Sequence, residues 1–206
     1  MKVLLINGSP NPSGCVGRAL KEMENVLNAG GIETKTYCVG NKDLRGCISC
    51  GKCSELKKCV FDDIVNEVAA EFETADGIVL GTPVYYAHAN GTLLSFADRL
   101  FYSTRFNKNM KVGAAVASSR RAGSTSAFDD INKYFTICGM PVASSTYWNE
   151  VHGFCAEDVE NDKEGLQTMR NLASNMAFLI KSIALGKEKF GDPKIERGAV
   201  TSFQKY

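Results

Sequence analysis

The chain has 206 residues, 44% of them hydrophobic and 23% charged, which is enough for one globular domain with a large core. Its formal net charge of +1 gives no field that would steer nucleic acid or acidic lipid, so we expect neither as a partner. No apolar run approaches the length of a membrane span, and the first residues lack an export-signal cleavage site. We therefore expect a cytoplasmic protein whose eight cysteines are reduced or bound to metal.

Apolar runs alternate with helix-period segments along the chain, which is typical of βαβ units around a parallel sheet. The predicted strands are residues 3–7, 33–38, 77–80, 112–117 and 142–146. The predicted helices are residues 16–29, 62–74, 92–101, 124–138 and 163–185. We therefore expect an α/β protein with a doubly wound, five-stranded sheet. The predicted domain spans residues 1–185 with a cysteine-rich insert at 43–62, and residues 186–206 form a C-terminal extension.

A loop rich in glycine, serine and proline follows the first predicted strand and leads into a helix. Small residues let backbone N–H groups converge, Ser9 and Ser13 offer hydroxyls, and the helix start adds its positive end. The loop lacks both G-x-x-x-x-G-K-[ST] and the full G-x-G-x-x-G. It favours a monophosphate such as that of FMN, and an ordinary strand–helix turn is the alternative. Arg18, one turn later, either adds charge there or faces solvent.

Four cysteines follow the second predicted strand at C-x2-C-x2-C-x5-C spacing. They are Cys47, Cys50, Cys53 and Cys59. Each two-residue spacer lets neighbouring sulfurs point inward from one turning loop, as in ferredoxin-type runs, so the spacing favours a [4Fe-4S] cluster. Zinc sites usually separate two C-x2-4-C pairs by a longer stretch, whereas the two halves are fused here. A zinc site, a redox dithiol and four unliganded thiols are the alternatives.

Two further loops follow the third and fourth predicted strands and should meet the first loop at one edge of the sheet, where ligands bind. The loop at residues 81–91 carries Tyr85 and Tyr86, which are suited to lie along a flat ring. The loop at residues 118–124 carries Arg120 and Arg121, which can stabilise a reduced, anionic flavin or bind a pyridine-nucleotide phosphate. Surface packing of the tyrosines and solvation of the arginines are the alternatives.

Four local motifs carry a family resemblance over about residues 1–155. They are Gly8-Ser9-Pro10, the cysteine run followed by Asp62-Asp63, Thr82-Pro83-Val84-Tyr85-Tyr86, and Ala97-Asp98-Arg99. Together they resemble the NADPH-dependent FMN reductase superfamily, and the cysteine spacing resembles its iron-sulfur flavoprotein branch. The resemblance implies a three-layer, flavodoxin-like sheet of order 2-1-3-4-5, noncovalently bound FMN and a homodimer or homotetramer. It also implies NAD(P)H as a possible electron donor.

The resemblance also implies roles for individual residues. The phosphate would be held by Ser9, Asn11, Ser13, Cys15 and Val16. The flavin ring would be framed by Pro83, Val84, Tyr85, Tyr86, Ser118, Ser119, Arg120, Arg121 and Gly123. The iron would be bound by Cys47, Cys50, Cys53 and Cys59. Many relatives have Asn-Thr in place of Cys15-Val16, so we expect this chain to retain FMN more weakly.

These features predict an FMN-dependent oxidoreductase that passes electrons between FMN and a [4Fe-4S] cluster, with a small molecule or a redox protein as its electron partner. No catalytic side chain is required. One alternative is a cluster-free, NAD(P)H-dependent reductase of FMN or quinones, and another is a non-enzymatic metal-binding or redox-sensing module. The cysteine loop follows an outlying strand, so we expect a neighbouring subunit to bring cluster and flavin together. The roles of His88, Trp148 and His152 are left open.

Overall fold

A parallel β-sheet forms the centre of the molecule in a computed structural model that describes residues 1–199 and 201. Its strands are β1 (Lys2–Asn7), β2 (Glu33–Cys38), β3 (Gly77–Tyr85), β4 (His88–Ala89), β5 (Val112–Ser119) and β6 (Glu150–His152). The parallel strands lie in the order β2-β1-β3-β5-β6, and β4 pairs antiparallel with the end of β3. Numbering the parallel strands alone gives the order 2-1-3-4-5. The predicted α/β class and doubly wound topology are therefore confirmed.

Helices cover both faces of this sheet and make three layers. They are α1 (Cys15–Ala29), α2 (Cys53–Leu56), α3 (Ile64–Thr74), α4 (Gly91–Ser103), α5 (Ser124–Ile137), α6 (Ala156–Val159) and α7 (Lys163–Phe190). One core lies between the sheet and α1 with α7, and the other lies between the sheet and α3, α4 and α5. Val3 and Leu5 enter the first core, whereas Leu4 and Ile6 enter the second. Burial on both faces explains the unbroken apolar run of β1.

The fifth predicted strand, residues 142–146, is wrong. Val142 makes only an isolated bridge to Gly113, and the fifth parallel strand is β6 instead. Hydrogen bonds with α7 hold this segment in place of strand pairing. The Ser145 hydroxyl donates to the Thr168 carbonyl at 2.7 Å, and the Asn175 amide donates to the Ser144 carbonyl at 2.8 Å.

Several elements extend beyond their predicted ends. Strand β3 continues to Tyr85 and turns into β4 through Tyr86 and Ala87, whose φ values of 50° and 62° suit a two-residue hairpin turn. Helix α7 crosses the predicted boundary at 185, because Lys187 and Lys189 in its last turn favour the negative end of the helix dipole. Residues 200 and 202–206 of the predicted extension lie outside the described residues. Within the described residues, no helix is both long and apolar enough to cross a membrane.

Candidate functional site

A pocket opens at the carboxyl ends of β1, β3, β5 and β6, next to the place where the strand order reverses. We call it the rim pocket. It measures about 340 Å³, which lies at the lower end of the usual range of roughly 300–1,000 Å³ for ligand sites. Ten of the fourteen predicted cofactor residues line it: Ser9, Asn11, Cys15, Val16, Pro83, Val84, Tyr85, Ser118, Ser119 and Arg120. No acidic side chain of the described residues lines it, which suits an anionic ligand.

Four predicted residues do not line the rim pocket. Ser13 and Arg121 are exposed. Tyr86 is fully exposed at the hairpin turn. Gly123 has a φ of 92°, and a Cβ placed on it would lie 2.9 Å from the Ala87 backbone, so this glycine lets the hairpin pack closely.

The loop between β1 and α1 holds its own shape. The side-chain oxygens of Asn7, Ser9 and Asn11 each accept a hydrogen bond from the backbone N–H two residues further along, at 2.9, 3.2 and 3.2 Å. Ser9 and Asn11 therefore shape the loop with their oxygens. No side chain caps α1, and its first turn contains no acidic residue. The positive start of this helix is thus left for an anion, which fits the phosphate of FMN.

Cys15 occupies the first position of α1 and joins this loop to the far wall of the pocket. Its thiol donates to the Cys155 carbonyl at 3.2 Å. Burial raises the pKa of the Cys15 thiol, although a hydrogen bond with Ser118 acts in the opposite direction. The thiol is therefore neutral at physiological pH and does not repel a phosphate.

Arg18 does not reach the rim pocket. Its guanidinium pairs with Glu22 at 2.8 Å and also with Glu160, so it joins α1 to the end of α6. The positive charge that the pocket receives comes from Arg120 and from the helix start.

The four cysteines of the insert line a second pocket, which we call the cysteine pocket. Its other walls come from the cysteine loop and from α4. The loop contributes Ile48, Gly51, Val60 and Phe61, and α4 contributes Arg99, Tyr102 and Ser103. No histidine or carboxylate of the described residues lines it. Cys53 is 7% exposed and begins α2, whereas Cys47 and Cys50 are exposed. The structure thus brings all four predicted ligands to one place.

Local backbone geometry and one asparagine hold this loop. Ser49, Gly51 and Lys57 have φ values of 53°, 71° and 58°, so the chain turns sharply between the cysteines. Asn66 of α3 accepts from the Cys59 N–H at 2.9 Å and donates to the carbonyls of Cys59 and Phe61 at 3.0 and 2.9 Å. These bonds fix the last cysteine against the core.

Two arginines approach the sulfur atoms of the cysteine pocket. Arg99 Nε donates to Cys59 Sγ at 3.3 Å, and Arg105 Nη2 lies 3.8 Å from Cys53 Sγ. Burial disfavours the charge of Arg99, but Asp63 and Cys59 outweigh it and raise the pKa of this guanidinium. Because Asp63 pairs with Arg99, Arg99 serves as a hydrogen-bond donor, and Arg105 supplies the positive charge that can balance thiolates.

The donor set of the cysteine pocket fits an iron-sulfur cluster. It consists of sulfur alone, its walls are mainly apolar, and two cations lie beside it. Among residues 1–199 and 201, the structure shows no group of three side chains of His, Cys, Asp or Glu that is arranged to hold a metal ion. The sulfurs share one pocket without forming a closed coordination shell.

The remaining candidates lie outside both pockets. His88 Nδ1 is 3.0 Å from Asp130 Oδ2, and the backbone N–H of His152 donates to Asp162 at 2.7 Å. Trp148 packs edge-on against Tyr147, with ring centroids 4.9 Å apart. A larger groove of about 940 Å³ lies between residues 104–109, 136–139 and 195–199 and contains no predicted site residue.

The resemblance also implies that residues 146–153 border the flavin or the oligomer contact, and of these Gly153 lines the rim pocket. Sequence reasoning missed Phe154 in the rim pocket and the placement of Asn66 and Arg99 beside the cysteines. One signal was available for Arg99. It lies on the buried face of α4, next to Leu100, where a charge requires a partner.

Comparisons with known proteins agree with this geometry. Residues 1–154 match the family described as NADPH-dependent FMN reductase. The chain is 36% identical to an iron-sulfur flavoprotein of Methanocaldococcus jannaschii, over 89% of this chain and 99% of that protein. It is 30% identical to an iron-sulfur flavoprotein of Methanosarcina thermophila, over 92% of this chain and 100% of the relative.

Solved structures show the same fold at low sequence identity. A flavodoxin from the domain Archaea superposes with a TM-score of 0.60 at 17% identity, covering 88% of this chain and 99% of that chain. A flavone reductase superposes with a TM-score of 0.68 at 18% identity, covering 89% and 64%. These likenesses establish a flavodoxin-like fold.

Proposed function

Because the chain belongs to the NADPH-dependent FMN reductase superfamily, in its iron-sulfur flavoprotein branch, and is an FMN-dependent oxidoreductase, we propose that it exchanges electrons between two resident cofactors. FMN would bind in the rim pocket, and a [4Fe-4S] cluster would bind to the four cysteines. The observation that carries this proposal is the convergence of Cys47, Cys50, Cys53 and Cys59 on one pocket, where the part of the chain that the structure describes places no histidine or carboxylate.

The rim pocket would bind FMN mainly through backbone. The start of α1 would hold the phosphate, while Pro83, Val84 and Tyr85 at the end of β3 would lie along the ring. Ser118 and Ser119, at the end of β5, would offer polar groups to the ring edge, and Arg120 would balance negative charge there. No side-chain acid or base is needed in this arrangement.

The cysteine pocket would hold its cluster through four thiolates against α4. Arg99 would donate a hydrogen bond to a thiolate, Arg105 would offset the thiolate charge, and the apolar walls would exclude water. When bound, FMN supplies two-electron chemistry and the cluster supplies one-electron chemistry, so the protein would join partners of both kinds.

We further propose that the working form is a homodimer or homotetramer. The rim pocket and the cysteine pocket share no lining residue, so a neighbouring subunit would bring one copy's cluster toward the other copy's flavin. Phe154 at the rim is 82% exposed, and Phe178 on α7 is 71% exposed, as expected of side chains that a second copy covers. Analytical ultracentrifugation tests this, and a monomer with full electron transfer would contradict it.

NADH or NADPH is the proposed electron donor, and it provides the functional test. A nicotinamide delivers a hydride, so it should reduce the cluster only through FMN. The reconstituted protein and its FMN-free form are mixed anaerobically with each nucleotide, and cluster reduction is followed by electron paramagnetic resonance. We expect reduction only in the FMN-loaded sample. A cluster that stays oxidised beside fully reduced FMN, or that is reduced equally fast without FMN, would contradict the proposal.

The second candidate function is a cluster-free reductase of FMN or quinones. The exposure of Cys47 and Cys50, which leaves two of the four sulfurs open to solvent, favours it. It predicts that replacing Cys50 and Cys53 by serine leaves two activities intact. The first is steady-state NAD(P)H turnover with a quinone, and the second is delivery of electrons to a one-electron acceptor. The leading proposal predicts that the second activity is lost.

A further inference from the structure

Helix α4 presents two polar residues to the cysteine pocket, one turn apart. Arg99 and Ser103 are separated by four positions, so they lie on the same face of the helix. Both line the pocket that contains the four cysteines. Both are buried, at 1% and 2% exposure, although the rest of this helix face is apolar.

The Arg99 guanidinium is fixed by contacts on several sides. Its terminal nitrogens Nη1 and Nη2 bind the two carboxylate oxygens of Asp63 at 2.8 and 3.0 Å, and the ring of Phe61 lies 4.9 Å away. Nη1 also lies 3.4 Å from the Arg45 carbonyl. These contacts leave Nε to donate to Cys59 Sγ at 3.3 Å. A guanidinium held in this way gives one thiolate a donor of defined direction.

Ser103 is the unexplained member of the pair. Its Oγ is buried and has no hydrogen-bond partner among the described residues. A helical serine ordinarily satisfies its hydroxyl on the carbonyl four residues earlier. The next residue, Thr104, does this and donates to the Leu100 carbonyl at 2.7 Å. The end of α4 therefore permits such a bond, and Ser103 does not make it.

A buried hydroxyl without a partner is unfavourable, and a pocket wall is where a ligand can supply that partner. The other polar side chains lining this pocket are the four cysteines, Arg99 and Tyr102. Arg99 is a donor only, and Tyr102 is 60% exposed and can bond to water. Sulfur, either a cysteine thiolate or a sulfide of the cluster, is therefore the acceptor that best suits Ser103.

We propose that Arg99 and Ser103 are positioning residues that donate hydrogen bonds to the sulfurs of the iron-sulfur cluster and raise its reduction potential. This inference rests on the cluster half of the proposed function. Reduction adds negative charge to the cluster sulfurs, and N–H and O–H donors stabilise that added charge. Neither residue ligates iron, so their removal should change the potential and leave the iron content intact.

The test compares Ser103→Ala with a control on the same helix, Ser95→Ala, whose side chain does not line the cysteine pocket. In anaerobically reconstituted protein, we expect Ser103→Ala to lower the cluster potential by about 59 mV, which corresponds to roughly a tenfold change in a one-electron equilibrium. Titration monitored by electron paramagnetic resonance measures this. Ser95→Ala should match the wild type.

The apoprotein gives a second and independent readout. Without a cluster, Ser103→Ala removes a hydroxyl that has no partner, so its melting temperature should equal or exceed that of the wild type. A lower melting temperature would mean that the hydroxyl is bonded within the protein, and this would overturn its assignment as a cluster donor.

Arg99→Lys tests the other member of the pair. The variant keeps the positive charge but loses the guanidinium geometry, so the potential should again fall while FMN binding is unchanged. If wild-type protein takes up no iron, the proposed function and this inference both fail. If the cluster forms and the potentials of both variants equal that of the wild type, the inference alone fails.

Discussion

The rim pocket is built from the ends of core strands, whereas the cysteine pocket is attached to the core by a few side chains. Three of the strands that end at the rim, β1, β3 and β5, are almost wholly buried, and the loop after β1 is braced by its own hydrogen bonds. The cysteine loop has a single four-residue helix and is held to α3 by the hydrogen bonds of Asn66. The first site is therefore preformed, whereas the second would be completed by the proposed cluster.

This contrast predicts that a substitution can abolish one site and leave the other intact. The largest effect is expected for substitutions of the cysteines. Replacing Cys53 by serine removes a thiolate from the most buried ligand position, so anaerobic reconstitution should lose nearly all iron. FMN binding should be unchanged. Iron and flavin counts on the same sample measure both, with Cys138→Ser as the matched control. Loss of FMN together with iron would show that the two sites are not independent.

The reverse experiment targets Gly17 in the first turn of α1. A Cβ placed there would lie 2.0 Å from the Pro12 carbonyl oxygen, so Gly17→Ala must displace the phosphate loop. We expect FMN affinity to fall roughly a hundredfold, about 2.8 kcal/mol, with iron uptake unchanged. Fluorescence titration of the apoprotein with FMN gives the affinity. The control is Gly186→Ala, where nothing lies within 4 Å of the added Cβ.

A smaller effect should follow from removing the bonds that hold the cysteine loop to α3. Asn66→Ala breaks three hydrogen bonds to Cys59 and Phe61, which should destabilise the loop by about 1–3 kcal/mol. Alkylation of Cys59 in the apoprotein, followed by mass spectrometry, should become faster. An unchanged rate would mean that the loop is held by contacts other than these.

The smallest predicted effect concerns a surface ion-pair cluster around Glu71 at acidic pH. Ion pairs with Lys2 and then Lys35 lower the pKa of Glu71 from 4.5 to about 2. A lowered pKa in the folded state gives stability that is present above pH 4.5 and is lost as the pH falls toward 2. The melting temperature should therefore decrease less over this interval in Glu71→Gln than in the wild type. Equal decreases would contradict a role for Glu71.

The sequence predicts those parts of the molecule that have a local signal. The apolar run of β1 and the spacing of the four cysteines are visible without the fold, because each depends on neighbours along the chain. Strand β6 has three residues and only Val151 fully buried, so no periodicity reveals it. Residues 142–146 have the local pattern of a strand. The contacts with α7 that hold them in another conformation come from distant positions in the sequence, so the local pattern does not reveal them.

The side chains around the cysteine pocket show the same limit. Asn66, Arg99 and Ser103 meet the loop through tertiary packing. All three follow Cys59 in the sequence, and Asn66 and Arg99 do so by 7 and 40 residues. The resemblance supplied residues for the rim, yet Ser13, Tyr86 and Arg121 lie outside the pocket, since the hairpin turn and loop backbone direct them to solvent. Local motifs thus locate a site, and the fold decides which of its residues line it.

The most direct test of the central claim is a count of FMN, iron and sulfide per chain in one anaerobically reconstituted sample. A chain with both sites should contain about one FMN, about four irons and about four sulfides. Protein that binds FMN in full and takes up no iron would contradict the account.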